Sequence, residues 1–316
     1  MSSSQTAESP DIRADGLARS FGAVHAVRDV SFVAPAGSVT ALIGPNGSGK
    51  TTLMLMLASL LQPDSGTISI AGSNPVTHPR AVRSILGWMP DALGSWDALT
   101  VRSALQTTAR MYGMDKAAAA ARASELLELI GLTELASRAT RVLSRGQKQK
   151  LSLARALVHD PQVLLLDEPA SGLDPLARVE LQVLVRRLAS EGKTVLVSSH
   201  VLAELDEMAD SAVYVAGGVS ASAEQIAESK VSVRLWRIRS VDQVALDAAL
   251  AGAGIAPSDI QHDRGETTVP VAGEADAASL LTRLVEAGVA VSSFAPAVGE
   301  LEHTFLDLSR PKGGQR

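Results

Sequence analysis

"SVTALIGPNGSGKTTLMLMLASLL", residues 38–61, runs an apolar strand into a glycine-rich turn and that turn into an apolar helix. The turn, "GPNGSGKT" at 44–51, satisfies G-x-x-x-x-G-K-[ST] at every fixed position. Between a strand and a helix, that spacing signifies a phosphate-binding loop. Gly44, Gly47 and Gly49 let backbone N–H groups turn inward around phosphate oxygens, and the helix N-terminus adds positive potential. Pro45, Asn46, Ser48 and Thr52 complete the cradle. Lys50 is placed to pair with the terminal phosphates and Thr51 to ligate Mg²⁺. The competing explanation is a helix start that is glycine-rich by accident, and the strand and helix on either side weigh against it.

Outward from the loop, the pattern is that of an α/β protein. Residues 12–43 are strand-like, with "VSFVAPAG" at 30–37 and "SVTALIG" at 38–44, and "GTISIAG" at 66–72 is a further short strand. Helical spacing dominates about 90–160, in "ARASELLELIGL" (121–132) and "GQKQKLSLARALVHDP" (146–161), which stops at Pro161. "QVLLLDEP" (162–169) and "KTVLVSSH" (193–200) are unbroken apolar runs of the kind buried on both faces of a parallel sheet, joined by a helix over 175–190. Small residues in "VAGGVSASAE" (215–224) mark a boundary between one domain over 12–220 and another over 225–316. The second reads βαββαβ: "VSVRLWRI", "VDQVALDAALAGAG", two strands in "IQHDRGETTVPV", "ADAASLLTRLVEAG" and "VAVSSFAP". That order predicts a small α+β sandwich of ferredoxin-like type.

Bulk properties narrow the function. The 316 residues carry a net charge of −5, which argues against nucleic acid as a partner. With no cysteine there are no disulfides or thiolate metal sites, and the six histidines are scattered. The longest apolar run, "TLMLMLASLL" at 52–61, is well short of the roughly 20 residues of a membrane-spanning helix. "MSSSQTAESPD" at 1–11 has neither the basic start nor the oily stretch of a secretion signal, and is expected to be a disordered tail. A cytoplasmic location follows, with any membrane association made through a partner.

"VLLLDEPASGLDP", residues 163–175, ends an oily strand on two adjacent carboxylates, Asp167 and Glu168. Beside a phosphate-binding loop they divide the work. Asp167, at the strand end, can hold Mg²⁺ through water. Glu168 points elsewhere and can accept a proton from an attacking water.

With "LSRGQKQKLSLARAL" (143–157), "LLLDEP" (164–169), "SGLDP" (171–175) and "VSSH" (197–200) following the loop in that order, residues 12–220 resemble the nucleotide-binding subunits of ATP-binding cassette (ABC) transporters. The resemblance implies a P-loop NTPase fold with a helical subdomain, and ATP hydrolysis with Mg²⁺. It also implies a head-to-tail homodimer, or pair of cassettes, closing on two ATP molecules. Ser144 and Gly146, with neighbouring Gln147, would meet the γ-phosphate held by the opposite subunit. Asp174 would sit at the seam, His200 would touch the γ-phosphate and orient the water, and Phe21 in "LARSFGAV" would stack on adenine. A strand-end histidine and a core phenylalanine are the plainer alternatives for the last two.

The chain departs from the family pattern twice. Arg145 stands at the signature's first glycine, where it either aids ATP binding or points to solvent. In "GWMPD" (87–91) Asp91 stands where the family usually has a glutamine touching Mg²⁺ and water; it either ligates the metal or is an exposed loop residue. By resemblance, the stretch through "DALGSWDALT" (91–100) lines the groove for a permease's coupling helix, with Trp88 and Trp96 as anchors or Trp88 buried in the helical subdomain. The resemblance implies the ATPase subunit of a membrane exporter, and "ELEHTFLDLSR" (300–310) looks like the ending of drug-resistance types. The rivals are a soluble cassette ATPase acting on cytoplasmic machinery, and a module that holds ATP without cleaving it. Intact Glu168 and His200 argue against the last.

Overall fold

The computed structural model describes residues 11–92, 94, 96–230, 232–263 and 265–309. It divides into two compact units, 1–220 and 221–316. Most of the expected N-terminal tail, residues 1–10, lies outside the described residues. Its last member, Asp11, is tied to the sheet: its carbonyl accepts from Ala71 N–H at 2.9 Å and its carboxylate pairs with Arg13 at 2.6 Å.

The first unit opens with β1 (Ile12–Phe21), β2 (Val24–Ala34), β3 (Val39–Ile43), α1 (Lys50–Leu57), β4 (Ser65–Ile70), α2 (Pro79–Ile85) and β5 (Leu86–Met89). Then come the helices α3 (Val101–Met111), α4 (Lys116–Leu129) and α5 (Arg145–Ala156). It closes with β6 (Val163–Asp167), α6 (Pro175–Ser190), β7 (Thr194–Ser198), α7 (Leu202–Asp206), β8 (Ser211–Ala216) and β9 (Val219–Ser220). One sheet of order β4-β1-β2-β9-β8-β3-β7-β6-β5 unites the strands. Its heart, β8-β3-β7-β6-β5, is parallel throughout. Every residue of β3, β6 and β7 is buried, as their unbroken apolar runs require. Met54, Met56 and Leu57 of α1 pack with Leu42 and Leu165 in one core, each buried side chain contributing about 1.5–3 kcal/mol.

Polar side chains start the helices of the middle segment. Thr100 accepts from Ser103 N–H above α3, and Asp115 accepts from Ala118 N–H above α4. Each such cap satisfies an amide that the first helical turn leaves without a partner, worth about 1 kcal/mol. Several elements went unread in the sequence: α2, only seven residues long, β5, the elements between 201 and 230, and the last helix, Glu300–Ser309. Trp88 is therefore placed differently from either expectation. It lies in β5, paired with Leu165 of β6, half-buried against the main core rather than in the helical subdomain or an open docking loop.

The second unit consists of α8 (Ala223–Lys230), β10 (Val233–Ser240), α9 (Gln243–Gly252), β11 (Gln261–Asp263), β12 (Glu266–Ala272), α10 (Gly273–Glu286), β13 (Val291–Pro296) and α11 (Glu300–Ser309). The sheet order β11-β12-β10-β13, with every pairing antiparallel, is that of a ferredoxin-like sandwich. Leu246 and Leu250 of α9 and Leu280 and Leu284 of α10 cover Trp236, Ile238 and Val269 on one face of it.

Candidate nucleotide site

The carboxyl ends of parallel strands are where α/β sheets bind ligands, and the candidate residues gather there at β3, β6 and β7. The loop after β3 runs from Gly44 to Gly49 and opens directly into α1. Gly49 takes φ 101°, and a Cβ on it would lie 2.3 Å from the Ala26 carbonyl oxygen, so glycine is required. Lys50 Nζ donates to the carbonyls of Gly44 at 2.6 Å and Pro45 at 3.1 Å. Burial holds the Lys50 pKa below the usual lysine range, opposed by the charges of Glu168 and Asp167. The Ser48 hydroxyl, on a residue only 2% exposed, has no hydrogen-bond partner among the described residues. A buried hydroxyl without a partner, in a glycine-rich loop at a helix N-terminus, suits an anionic phosphate. Pro45, Asn46 and Gly47 form the exposed crest of the loop, and Thr52 is half-buried on α1.

Asp167 ends β6 at 3% exposure. Thr51 Oγ1 donates to its Oδ2 at 3.3 Å and Ser198 Oγ to its Oδ1 at 2.6 Å. Burial raises the Asp167 pKa, the two hydrogen bonds lower it, and the charges of Asp91 and Glu168 raise it further. Asp91 is thus within electrostatic reach of this carboxylate although exposed.

Glu168 has φ 51°, a left-handed backbone that is uncommon outside glycine. Three contacts hold it there: Glu168 N–H donates to Ser198 Oγ at 3.1 Å, and its carbonyl accepts from Gln149 Nε2 at 2.7 Å and from Ser171 N–H at 3.1 Å. The turn sends the carboxylate away from Asp167 and onto His200, with Oε2 2.6 Å from Nδ1. A carboxylate can only accept, so Nδ1 carries the proton in this contact. His200 is largely exposed.

Phe21 ends β1 at 48% exposure, with the Arg19 guanidinium carbon 5.0 Å from its ring centroid. It is an aromatic face open to solvent, not core. Ser144 caps α5 in a reciprocal box: its Oγ accepts from Gln147 N–H at 3.2 Å, and Gln147 Oε1 accepts from Ser144 N–H at 2.9 Å. Asp174 caps α6, accepting from Ala177 N–H at 2.9 Å. Within one chain, no hydrogen bond among the described residues joins Ser144, Gly146, Gln147 or Asp174 to the loop at 44–51. The structure therefore makes two groups, one at the loop and one at the starts of α5 and α6. Gln149 and Ser198 were missed as individual residues. The sequence signals for them were a lone amide within the apolar stripe of α5 and the first serine of "VSSH".

A family model described as ABC transporter matches residues 27–171. The daunorubicin resistance ATP-binding protein DrrA3 of Streptomyces coeruleorubidus is 34% identical over 301 residues, covering 94% of this chain and 95% of that protein. The chain belongs to the ABC transporter ATP-binding proteins. The ABC transporter ATP-binding protein NatA of Bacillus subtilis (strain 168) is 37% identical over 196 residues, 62% of this chain and 80% of its own. The solved structure of an ATP-binding subunit of an ABC transporter superposes with a TM-score of 0.63 at 30% identity, over 69% of this chain and 92% of the other. As an ABC ATPase, the chain binds ATP and hydrolyses it.

Proposed function

We propose that the chain is the ATP-hydrolysing subunit of an export-type ABC transporter. It works as a homodimer, or paired cassette, around two ATP molecules, at the cytoplasmic face of the plasma membrane and bound there through an integral-membrane permease. The contact that carries the hydrolytic part of this reading is Glu168 Oε2 to His200 Nδ1 at 2.6 Å, beside the loop that holds phosphate. A module that only held ATP would have no use for a carboxylate braced by an imidazole. Support for export comes from a relative named as a Nod factor export ATP-binding protein, 37% identical over 229 residues, and the likeness to the resistance protein DrrA3 runs through the second unit as well. We assign residues 225–316 as an accessory domain of the subunit.

In this mechanism Lys50 and the backbone N–H groups of Asn46, Gly47 and Gly49 grip the terminal phosphates, and Phe21 stacks on adenine with its open face. Glu168 takes the proton of the attacking water while His200 holds the carboxylate in place and touches the γ-phosphate. Ser144 and Gly146 of a second copy complete the other side, where the N-terminus of α5 supplies partial positive charge. Asp174 lies at the seam between copies. The hydroxyl of Thr51 and the carboxylate of Asp167 form the hard-oxygen pair that suits Mg²⁺. That ion would neutralise charge developing on the phosphates. Asp91 is assigned as a further, water-mediated ligand, because it follows β5 at the same end of the parallel sheet as Asp167, within reach of that carboxylate's charge.

The membrane partner is tested by co-purification. Tagged chain expressed in its source cell is expected in the detergent-solubilised membrane fraction with a polytopic protein. Recovery only from the soluble fraction would favour a soluble ABC ATPase acting on cytoplasmic machinery. Asp91→Ala tests the metal assignment: it is expected to shift the Mg²⁺ concentration for half-maximal ATPase activity upward by about 3–10-fold, since one lost interaction of about 1 kcal/mol changes affinity by that order. Superimposable Mg²⁺ curves would remove Asp91 from the metal site.

A further inference from the structure

Arg145, where the family signature has its first glycine, is the first residue of α5. Its Nη2 donates to Ser171 Oγ at 2.7 Å. Its Cδ and Cγ lie 2.7 and 2.9 Å from where a Cβ on Gly172 would stand, and Gly172 takes φ 76°. The side chain thus lies flat across a position only glycine can fill. Gly146 is packed against the same segment, its own Cβ position 3.1 Å from the Gly172 carbonyl oxygen. One turn further along, Gln149, only 1% exposed, donates to the Glu168 carbonyl. Residues 145, 146 and 149 share a helix face, and that face holds the segment 168–174 at three points.

We propose that Arg145 is a positioning residue that fastens the segment Glu168–Asp174 to the signature turn of its own chain, so that the two move as one body. On the sandwich reading above, on which this inference rests, the signature turn serves one ATP and Glu168 serves the other. Arg145 then links the two sites within one chain. A glycine at 145 could make neither the hydrogen bond to Ser171 nor the cover over Gly172. The competing role is a direct counter-charge for phosphate on the opposite subunit. The two differ in kind, because a guanidinium–hydroxyl bond depends weakly on salt whereas a charge–phosphate contact is screened by it.

The experiment compares the full-length wild type with Arg145→Met, Ser171→Ala and the double variant. Met keeps the aliphatic cover and loses the donor; Ala at 171 removes the acceptor and leaves the charge. The first readout is hydrogen exchange without nucleotide at the amides of Ser171 and Leu173, which bond to the carbonyls of Glu168 and Ala170. Each single variant is expected to exchange about fivefold faster there, the effect of one hydrogen bond, and the double variant no faster than the singles. The second readout is ATP turnover, with kcat expected to fall about fivefold in each single variant and KM to stay within about twofold. Unchanged exchange in both variants overturns the proposal. So does a salt-dependent rise in KM for Arg145→Met with a silent Ser171→Ala, which is the signature of a phosphate counter-charge. A wild type that ignored ATP would sink the functional reading, while exchange in the nucleotide-free chain would still judge the fastening.

Discussion

Glu168→Gln is expected to lower steady-state ATP turnover by about 10²–10⁴-fold, the range that a positioned general base supplies. The substitution preserves shape. The glutamine Oε1 can still accept from His200 Nδ1, so the 2.6 Å contact and the backbone held by Gln149 and Ser198 survive. What disappears is the ability to take a proton from water. ATP should therefore bind as before, stay uncleaved, and hold two copies together. Steady-state phosphate release measures the loss of turnover, and size-exclusion chromatography in ATP and Mg²⁺ measures the trapped pair. Turnover within about tenfold of wild type would show that another group, or water alone, serves as base.

Gly49→Ala should act earlier, on binding. At φ 101° an alanine sits in a backbone region that L-residues avoid, at a cost of order 1–3 kcal/mol. Its methyl carbon would also lie 2.3 Å from the Ala26 carbonyl oxygen and 3.1 Å from Val27 Cγ2. The first obstacle is backbone and cannot swing aside as a flexible side chain would. The loop must then move at the point where it becomes α1, carrying Lys50 and Thr51 with it. The dissociation constant for ATP is expected to rise about 100-fold, equivalent to roughly 2.7 kcal/mol of lost cradle geometry, with the core β3, β6 and β7 still folded. Titration with a fluorescent ATP analogue, beside a thermal melt, separates the two effects. Binding within about threefold of wild type would mean that phosphate is held elsewhere.

Much of this was readable from residues because the chemistry leaves little freedom. A loop that wraps phosphate needs glycines at fixed spacing. Strands buried on both faces need unbroken apolar runs, so β3, β6 and β7 announce themselves. The βαββαβ order of the second unit was equally plain, since its helices and strands alternate with turn residues between them. Most of the missed elements are short: α2 and β5 run on without a glycine or proline between them, four residues of strand carry too little periodicity to be seen, and α7, β8, β9 and α8 lie in the stretch read only as a change of composition; α11, ten residues long, was noticed only as an ending. Within the site, Asp167 and Thr51 followed from the loop. Ser198, which bonds both Asp167 and Glu168, and the amide of Gln149 act on atoms far away in sequence, and no local pattern marks a hydrogen bond across 19, 30 or 31 residues. Arg145 was visible as an oddity, but its meaning lay in Ser171 and Gly172, which only the folded chain brings beneath it.

The left-handed backbone at Glu168 has a consequence for control. An unfavourable conformation persists only while its surroundings insist on it, and here the insistence comes from one amide on a neighbouring helix, one serine at the end of an adjacent strand and the N–H of Ser171. On the mechanism proposed above, a shift of α5 that broke the Gln149 bond would loosen the peptide and draw the carboxylate away from the water it is assigned to deprotonate. The enzyme could thus be idled with its fuel fully loaded, by a tug on a helix rather than by eviction of the nucleotide.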